Sequence, residues 1–487
     1  MQCRPCSAFQ NWVPSQSFQK QSVRFRHESA RKTHRAFVAL GSNLGNRVAM
    51  IERACKEMEA SGNIKIVRTS SLWETKAMYV LDQDKFVNGA CEIETPLSPI
   101  ELLDQLQAIE NNMGRVKVIA KGPRNIDLDI LLYDDIQYSD DRLQIPHSLM
   151  LEREFVLRPL CEIIPQDSAL TYGSSVKSLH RHFSQLPPSE EPLSSMTPLA
   201  EFMPHISALQ SQRNTRIMSI LNVTPDSFSD GGKNYNIAEA TLADTVIKHI
   251  DAGATIIDVG GQSTRPGSVQ VSSDEELSRI LPAVRLIRSL PEAKNVAISI
   301  DTYRADVAEE SIKAGADIIN DVSAGVMDDA MLPTVAKLGC TICLMHMRGT
   351  PETMNSLTSY PDGIVDTVGR ELLERVHKAE EAGIRRWRII LDPGIGFAKT
   401  QEHNLQLLRQ GAALRDFPGL RGLPWLVGTS RKAFVGRITD VKEAKDRVWG
   451  TAAAVTAAIQ GGADIIRVHD VKEMAQVAKM ADAIWRV

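Results

Sequence analysis

Cysteine is scarce in this chain: seven in 487 residues, an odd number thinly spread. That excludes a disulfide framework and points to a reducing compartment. Long apolar runs are missing. None approaches the roughly 20 residues of a membrane-spanning helix, so no span is expected. An excess of either charge is missing too. Lys and Arg number 56 against 60 Asp and Glu, a formal net charge of −4, which leaves no footprint for nucleic acid. What remains, 43% hydrophobic and 24% charged, is the composition of a soluble globular protein. The length implies about three domains of about 150 residues, or two if one is a barrel. Cys340-Thr-Ile-Cys343 has C-x-x-C spacing but sits in an apolar stretch with no second pair nearby, so it reads as buried core cysteine.

Two segments differ from the rest. The first 35 residues hold Arg4, Lys20, Arg24, Arg26, Arg31, Lys32 and Arg35 against one acid, Glu28. Basic, Ser-bearing and acid-poor, residues 1–34 read as a mitochondrial transit peptide, with a disordered basic tail on a cytoplasmic protein as the alternative. Pro5 and Pro14 interrupt any long amphipathic helix there. In residues 184–211, Pro187, Pro188, Pro192, Pro198 and Pro204 sit among Ser and Glu, which reads as an extended linker. The expected domains are therefore 35–183 and 212–487. Outside these segments there is no repeat and no low-complexity tract.

In the first domain the run Ile126–Tyr133 reads as a strand. Asp127 and Asp129 then share one face, with Ile126, Leu128 and Ile130 on the other. Two carboxylates side by side on an apolar strand repel each other and are costly to desolvate. Bound Mg²⁺ removes both problems and is held by such hard oxygen ligands beside substrate phosphates. Arg124, Arg115 and Lys117 lie upstream as phosphate-pairing cations. The D-x-D alone leaves open a solvated acidic surface strand; the flanking Pro-Arg and basic loop favour phosphoryl chemistry.

After the proline-rich segment, eight short apolar strands alternate with helical stretches such as Ala238–Ala252 and Gly363–Ala382. The strands are Ile217–Val223, Thr255–Gly260, Val296–Thr302, Asp317–Val322, Thr341–His346, Ile389–Pro393, Trp425–Thr429 and Ile465–Asp470. Eight βα units over about 270 residues fit a closed (β/α)₈ barrel better than a doubly wound open sheet. Their C-terminal ends carry Asn222, Asp258, Asp301, Asn320-Asp321, His346, Asp392, Ser430-Arg-Lys432 and Arg467-Val-His469. Any one of these is more often a cap than a catalyst, but polar residues at every strand end point to a site at the barrel mouth. Asp301, Asn320 and Asp392 suit a heterocycle with several N–H donors, and Asn222, Lys432, Arg467 and His469 suit a phosphate-bearing group with Mg²⁺. Loops 224–232 and 262–267 follow the first two strands and have the Gly and Pro of mobile lids.

Two ordered motif sets carry resemblances. Gly41-Ser-Asn-Leu-Gly-Asn-Arg47, Phe86-Val-Asn88, Gly114-Arg115, Gly122-Pro-Arg-Asn-Ile-Asp-Leu-Asp129 and Ile145-Pro-His147 resemble 6-hydroxymethyl-7,8-dihydropterin pyrophosphokinase over roughly Arg35 to Phe183. The resemblance implies a ferredoxin-like α+β domain in which Asp127 and Asp129 hold two Mg²⁺ ions that bridge the phosphates of ATP, the co-substrate. It also implies that Asn88 reads the pterin edge and that Phe86 and Phe155 stack on it. Arg115, Arg124, Arg142, His147 and Arg153 would handle ATP. Val118-Ile-Ala-Lys121 stands where many members carry an Arg-Trp pair.

Leu221-Asn-Val-Thr-Pro-Asp-Ser-Phe-Ser-Asp-Gly-Gly232, Ser263-Thr-Arg-Pro-Gly267, Ser299-Ile-Asp-Thr302, Ile319-Asn-Asp321, Leu391-Asp-Pro-Gly394, Ser430-Arg-Lys432 and Arg467-Val-His-Asp470 closely resemble dihydropteroate synthase, a TIM barrel. By that resemblance Asp301, Asn320 and Asp392 bind the pterin, Lys432 contacts it and Arg467 stacks on it. Asn222 holds Mg²⁺, and Thr264, Arg265, Arg467 and His469 hold pyrophosphate. Gln262 stands where members usually have Glu.

The implied catalytic set is Arg115, Arg124, Asp127 and Asp129 in the first domain and Lys432 and Arg467 in the second. The implied substrates are the dihydropterin alcohol, ATP and p-aminobenzoate. The implied assembly is a homodimer or higher oligomer through the barrel. An upstream aldolase domain, carried by fungal relatives, is not expected in the residues before Gly41. A scaffold with one inactive domain, a pterin-binding regulator and a methyltetrahydrofolate-binding barrel are weaker alternatives, disfavoured by the intact Asp127/Asp129 and Asp392/Lys432/Arg467 sets.

Overall fold

Strand pairing in the first half follows from alternation. The computed structural model describes residues 32–76, 82–114, 122–165, 171–172, 175–176, 178–187, 189, 191–223, 235–262 and 270–487. Arg115, Thr264, Arg265 and residues 1–31 of the leader lie outside the described residues. The strands β1 (His34–Ser42), β2 (Lys65–Thr69), β3 (Leu72–Thr75), β4 (Phe86–Thr95) and β5 (Asp127–Tyr133) form one antiparallel sheet in the order β3-β4-β1-β5, with β2 also on β4. Along β1, Ala36, Val38 and Leu40 turn to one face. There they meet Ile51 and Met58 of helix α1 (Arg47–Ala60) and Leu102 and Leu106 of α2 (Pro99–Asn112). Asn46 caps α1 by accepting from the Ala49 N–H at 3.1 Å, and a Ser98/Glu101 capping box starts α2. Phe37 turns to the other face and packs with Leu157 and Leu160 of α3 (Glu154–Ile163). Towards Gly41, Asn88, Asp127 and Asp129 that second face borders a cavity instead.

The second half is an eight-stranded parallel barrel, as the alternating pattern implied. Its strands are Arg216–Asn222, Ile256–Gly260, Ala297–Asp301, Ile318–Asp321, Thr341–Met345, Ile389–Asp392, Leu426–Val427 and Ile465–Val468. Hydrogen-bonded neighbours run from the sixth strand back to the first, then to the eighth and seventh. The ring closes where Leu391 bridges Trp425, with Leu391 N–H donating to Pro424 O at 2.9 Å.

Period-two alternation explains the layering. Ile257, Val259, Ile298, Ile300, Ile319, Ile342, Leu344 and Ile466 face outward into the helices. Met218, Ile256, Ala297, Ile318, Cys343, Ile390, Leu426 and Ile465 face inward at the N-terminal end. Two or four residues further along the same inward rows stand Asn222, Asp258, Asp301, Asn320, Asp392 and Arg467. Cys340 and Cys343 are buried free thiols, in keeping with the core reading of their C-x-x-C.

The proline-rich segment is built into both halves. Ser194–Met196 adds a strand to the edge of the sheet at β3, and Met196 enters the first core. Leu199, Ala200, Ile206 and Ala208 then plug the N-terminal end of the barrel. Leu199 and Ala200 lie between Pro198 and Pro204, and Ile206 and Ala208 follow the last proline of the stretch.

A barrel segment crosses in the opposite direction. Trp387, fully buried, belongs to the core of α1, α2 and the sheet, and its indole N–H donates to Glu52 Oε1 at 3.1 Å. Arg388 forks onto both oxygens of Glu52 at 2.6 and 2.7 Å, and Arg385 reaches Glu59 at 2.5 Å. Trp387→Ala should therefore destabilise the first domain, although the mutation lies in the barrel chain. The cost for a buried Trp is about 3–5 kcal/mol. Thermal unfolding followed by pyrophosphokinase activity checks this, and an unchanged inactivation temperature would show that the cores do not share this residue energetically.

Candidate functional site

The open face of the first sheet forms a cavity of about 180 Å³. Phe86, Asn88, Arg124, Asp127, Asp129, His147, Arg153 and Phe155 all line it, so eight of the residues singled out in this half come together. Asp127 pairs with Gly41 and Asp129 with Ala39 across β1, so both carboxylates share the face expected from their spacing. Arg124 donates to Asp127 Oδ2 at 2.5 Å. Asn88 Nδ2 donates to Thr75 Oγ1 at 2.9 Å. Its Oδ1 is on the Gly41 side, where a Cβ would stand 3.6 Å from both Asn88 Oδ1 and Asp127 Cβ. Burial, helped by the Arg153 charge, holds the His147 imidazole below its usual pKa, so the ring favours the neutral form.

Arg142 does not join this cavity. It is half-exposed and pairs with Asp104 at 2.5 Å. The structure adds Asn43, whose motif was noted but whose task was not. Arg124 N–H donates to Asn43 Oδ1 at 2.8 Å, and Asn43 Nδ2 donates to Gln83 Oε1 at 3.1 Å. One buried amide thus ties the end of β1 to the Arg124 loop and to the segment before β4.

At the C-terminal end of the barrel, Arg467 is the hub. Its Nε donates to Asp258 Oδ2 and its Nη2 to Asp301 Oδ2, both at 2.6 Å. Asn320 Nδ2 donates to Asp258 Oδ2 at 3.2 Å. Asp258 Oδ1 and Asp301 Oδ1 are buried acceptors without a partner among the described residues. Such orphan acceptors are costly unless a ligand supplies N–H groups. Burial pushes the Asp301 carboxyl up to about 7, against the opposing pull of Arg467.

Asp392 Oδ1 accepts the Gly394 N–H at 2.7 Å. Lys432 donates to Ile395 O and lies 4.6 Å from the Phe397 ring centre, and burial lowers its pKa to about 8. His469 Nδ1 meets Ser430 Oγ at 3.0 Å. Asn222 is exposed at the mouth, with Gly260 beside it on the next strand. Gln262 is buried, with neither amide atom partnered among the described residues. The sequence shows Asp258 only as a polar strand end; Lys399, half-buried beside Asp392, gives no signal because it follows the strand in a turn.

Residues 37–165 match the family model of 7,8-dihydro-6-hydroxymethylpterin-pyrophosphokinase, and residues 218–469 match that of pterin binding enzymes. A mitochondrial folate synthesis bifunctional protein from Arabidopsis thaliana is 41% identical over 99% of this chain and 87% of that protein. The chain belongs to the bifunctional folate-synthesis family. A second member, a folic acid synthesis protein from Pneumocystis carinii, is 45% identical over 99% of this chain. The chain spans 62% of the length of that longer protein. The family fold is also that of a Plasmodium falciparum HPPK-DHPS triple mutant crystallised with pteroate. That structure superposes with a TM-score of 0.77 over 94% of this chain and 96% of its own, at 23% identity.

Proposed function

We propose that this chain carries out two consecutive steps of folate synthesis. In the first, the hydroxyl of 6-hydroxymethyl-7,8-dihydropterin attacks the β-phosphorus of ATP, taking a pyrophosphoryl group and releasing AMP. In the second, the amine of p-aminobenzoate displaces that pyrophosphate from the pterin methylene to give 7,8-dihydropteroate. The observation that carries the reading is the pair of sites in one chain, each with acceptors for pterin N–H groups and cations for phosphate.

Asn88 reads the pterin edge in the first cavity, and Phe86 and Phe155 are its stacking partners. Arg124, with Arg115, His147 and Arg153, orients ATP; transfer of this kind needs alignment and charge neutralisation more than a strong base. In the barrel, Asp301, Asn320 and Asp392 accept or share the pterin N–H groups, joined by Asp258. Lys432 contacts the ring. Arg467 stacks on it and, with Thr264, Arg265 and His469, takes the departing pyrophosphate. The electron-rich pterin carries the developing cation at its methylene.

The donor sets fit Mg²⁺. Asp127 and Asp129 offer hard oxygens on one open face, and Asn222 offers one amide oxygen at the barrel mouth. Among the described residues no group of three or more His, Cys, Asp or Glu could form a metal cage. Two carboxylates at one site and one amide at the other suit an ion that keeps water and phosphate among its ligands, as Mg²⁺ does. Bound at these residues, Mg²⁺ would supply neutralisation of phosphate charge in both steps.

The decisive experiment is a coupled assay on the purified full chain with the pterin alcohol, ATP, Mg²⁺ and p-aminobenzoate. AMP and dihydropteroate are expected in equal amounts. Diphosphorylated pterin should give dihydropteroate without ATP. No AMP, or no dihydropteroate from the diphosphate, would each remove one half of the reading.

Two further proposals accompany it. The basic, acid-poor leader supports mitochondrial delivery, which fusion of residues 1–40 to a reporter tests; a purely cytosolic reporter rejects it. The barrel supports a homodimer. A groove lined by Phe434, Val435, Ile438, Ala454 and Ala457 leaves Ile438 exposed, with Trp449 82% exposed close by in sequence. Light scattering should give twice the chain mass, and a monomeric mass rejects it.

A further inference from the structure

Beside the barrel site runs a chain of charged groups with no part in the two steps described above. His346, at the end of the fifth strand, is 3% exposed. Its Nε2 lies 2.8 Å from Glu371 Oε2, on the helix Ile364–Glu381, and its Nδ1 lies 2.8 Å from Lys399 Nζ. A carboxylate only accepts, so Glu371 takes the Nε2 proton and leaves Nδ1 of a neutral ring to accept from Lys399 Nζ. Burial and the Lys399 charge keep His346 neutral, with its pKa pushed down to about 4. Arg348 forks onto both oxygens of Glu371, at 3.0 Å through Nε and again through Nη2. The order is Arg348, Glu371, His346, Lys399, each aimed by the one before it.

Lys399 ends a turn that the backbone would not adopt unaided. Gly394, Gly396 and Ala398 have φ of +65°, +84° and +51°. Left-handed backbone at Ala398 persists only when its surroundings over-determine it. The determinants are on hand. Lys399 Nζ donates to Phe397 O at 3.0 Å, Tyr360 Oη donates to Ala398 O at 2.9 Å, and Gly396 N–H donates to Asn404 Oδ1 at 2.7 Å.

This turn is also the wall of the barrel site. It supplies Ile395 O to Lys432 and the Phe397 ring under the Lys432 ammonium. A Cβ at Gly396 would stand 3.1 Å from Lys432 Cδ, so the Lys432 stem lies directly on the turn. Gly394 N–H binds Asp392. The aim of both Lys432 and Asp392 thus depends on the turn.

We infer that Lys399 is a positioning residue of the condensation site: held by His346 and Glu371, it fixes the 394–399 turn that aims Lys432 and Asp392 at the pterin. This rests on the reading of the barrel as the dihydropteroate-forming half.

The test uses the full chain with Lys399→Met and, separately, Glu371→Gln, which reaches the turn only through His346. Steady-state kinetics are measured with diphosphorylated pterin and p-aminobenzoate. Lys399→Met should raise KM for the diphosphorylated pterin about tenfold, with a smaller fall in kcat, because misplaced contacts lose substrate alignment. Glu371→Gln should move KM in the same direction by a smaller factor. Pyrophosphokinase activity should stay at the wild-type level in both. A KM within about twofold of wild type in both variants overturns the inference. So does a loss of both activities together, which would mark a merely structural lysine; if Lys399→Met does not fold, Glu371→Gln decides alone. Absence of dihydropteroate formation in the wild-type chain would instead sink the reading beneath it.

Discussion

Replacing Asp127 and Asp129 together by Asn should abolish pyrophosphoryl transfer while dihydropteroate formation from supplied diphosphorylated pterin continues. The two carboxylates line the first cavity, and in the proposed reading their charge attracts Mg²⁺; Asn keeps their shape while removing that charge. Without that neutralisation, the pterin hydroxyl meets a tetra-anionic nucleotide, and a loss on the order of 10³-fold or more is expected. The Arg124 guanidinium, now paired with Asp127 at 2.5 Å, would be left beside a neutral amide, so ATP affinity should fall less than turnover. Asp392→Asn should do the reverse, stopping dihydropteroate formation while AMP is still produced. The two sites share no residue, although Trp387 of the barrel chain and Met196 of the proline-rich stretch both belong to the first core. If the double variant stayed folded, kept its unfolding temperature and still lost dihydropteroate formation, the sites would be coupled and this separation would fail.

Arg467→Lys should impair dihydropteroate formation severely, by a factor of about 10² or more, and leave the first activity untouched. Arg467 binds Asp258 through Nε and Asp301 through Nη2, two carboxylates on neighbouring strands, with one rigid planar group. A lysine ammonium keeps the charge but cannot span both acceptors or present a flat face to a pterin. Losing the fork also leaves Asp301 Oδ2 dependent on the lysine alone, whereas Asp258 Oδ2 keeps the Asn320 N–H. The variant separates charge from shape: near-normal turnover would mean that only the positive charge matters and that the stacking role is wrong.

The sequence by itself determined the class of both halves, the barrel strands to within a residue or two at most ends, and most of the residues that gather. The reason is local. Alternation with period two fixes which side chains share a face, so Asp127 and Asp129 were bound to point the same way. For the same reason the polar ends of the barrel rows were bound to meet at one mouth. Arg142 shows the limit: its charge suited ATP, but nothing local says whether a loop arginine turns to a cavity or, as here, to Asp104.

Only the tertiary structure decided what depends on contacts distant in sequence. Asn43 became a tie between three segments because chain folding brought Gln83 and Arg124 to it. The proline-rich stretch became part of two cores because the edge of β3 and the open end of the barrel were both left uncovered. Trp387 became a residue of the other half's core through a crossing of more than 300 positions to Glu52, which no periodicity encodes. Lys399 acquired its place from His346 and Glu371, on two other elements, because a half-buried amine must find its acceptors wherever the fold supplies them.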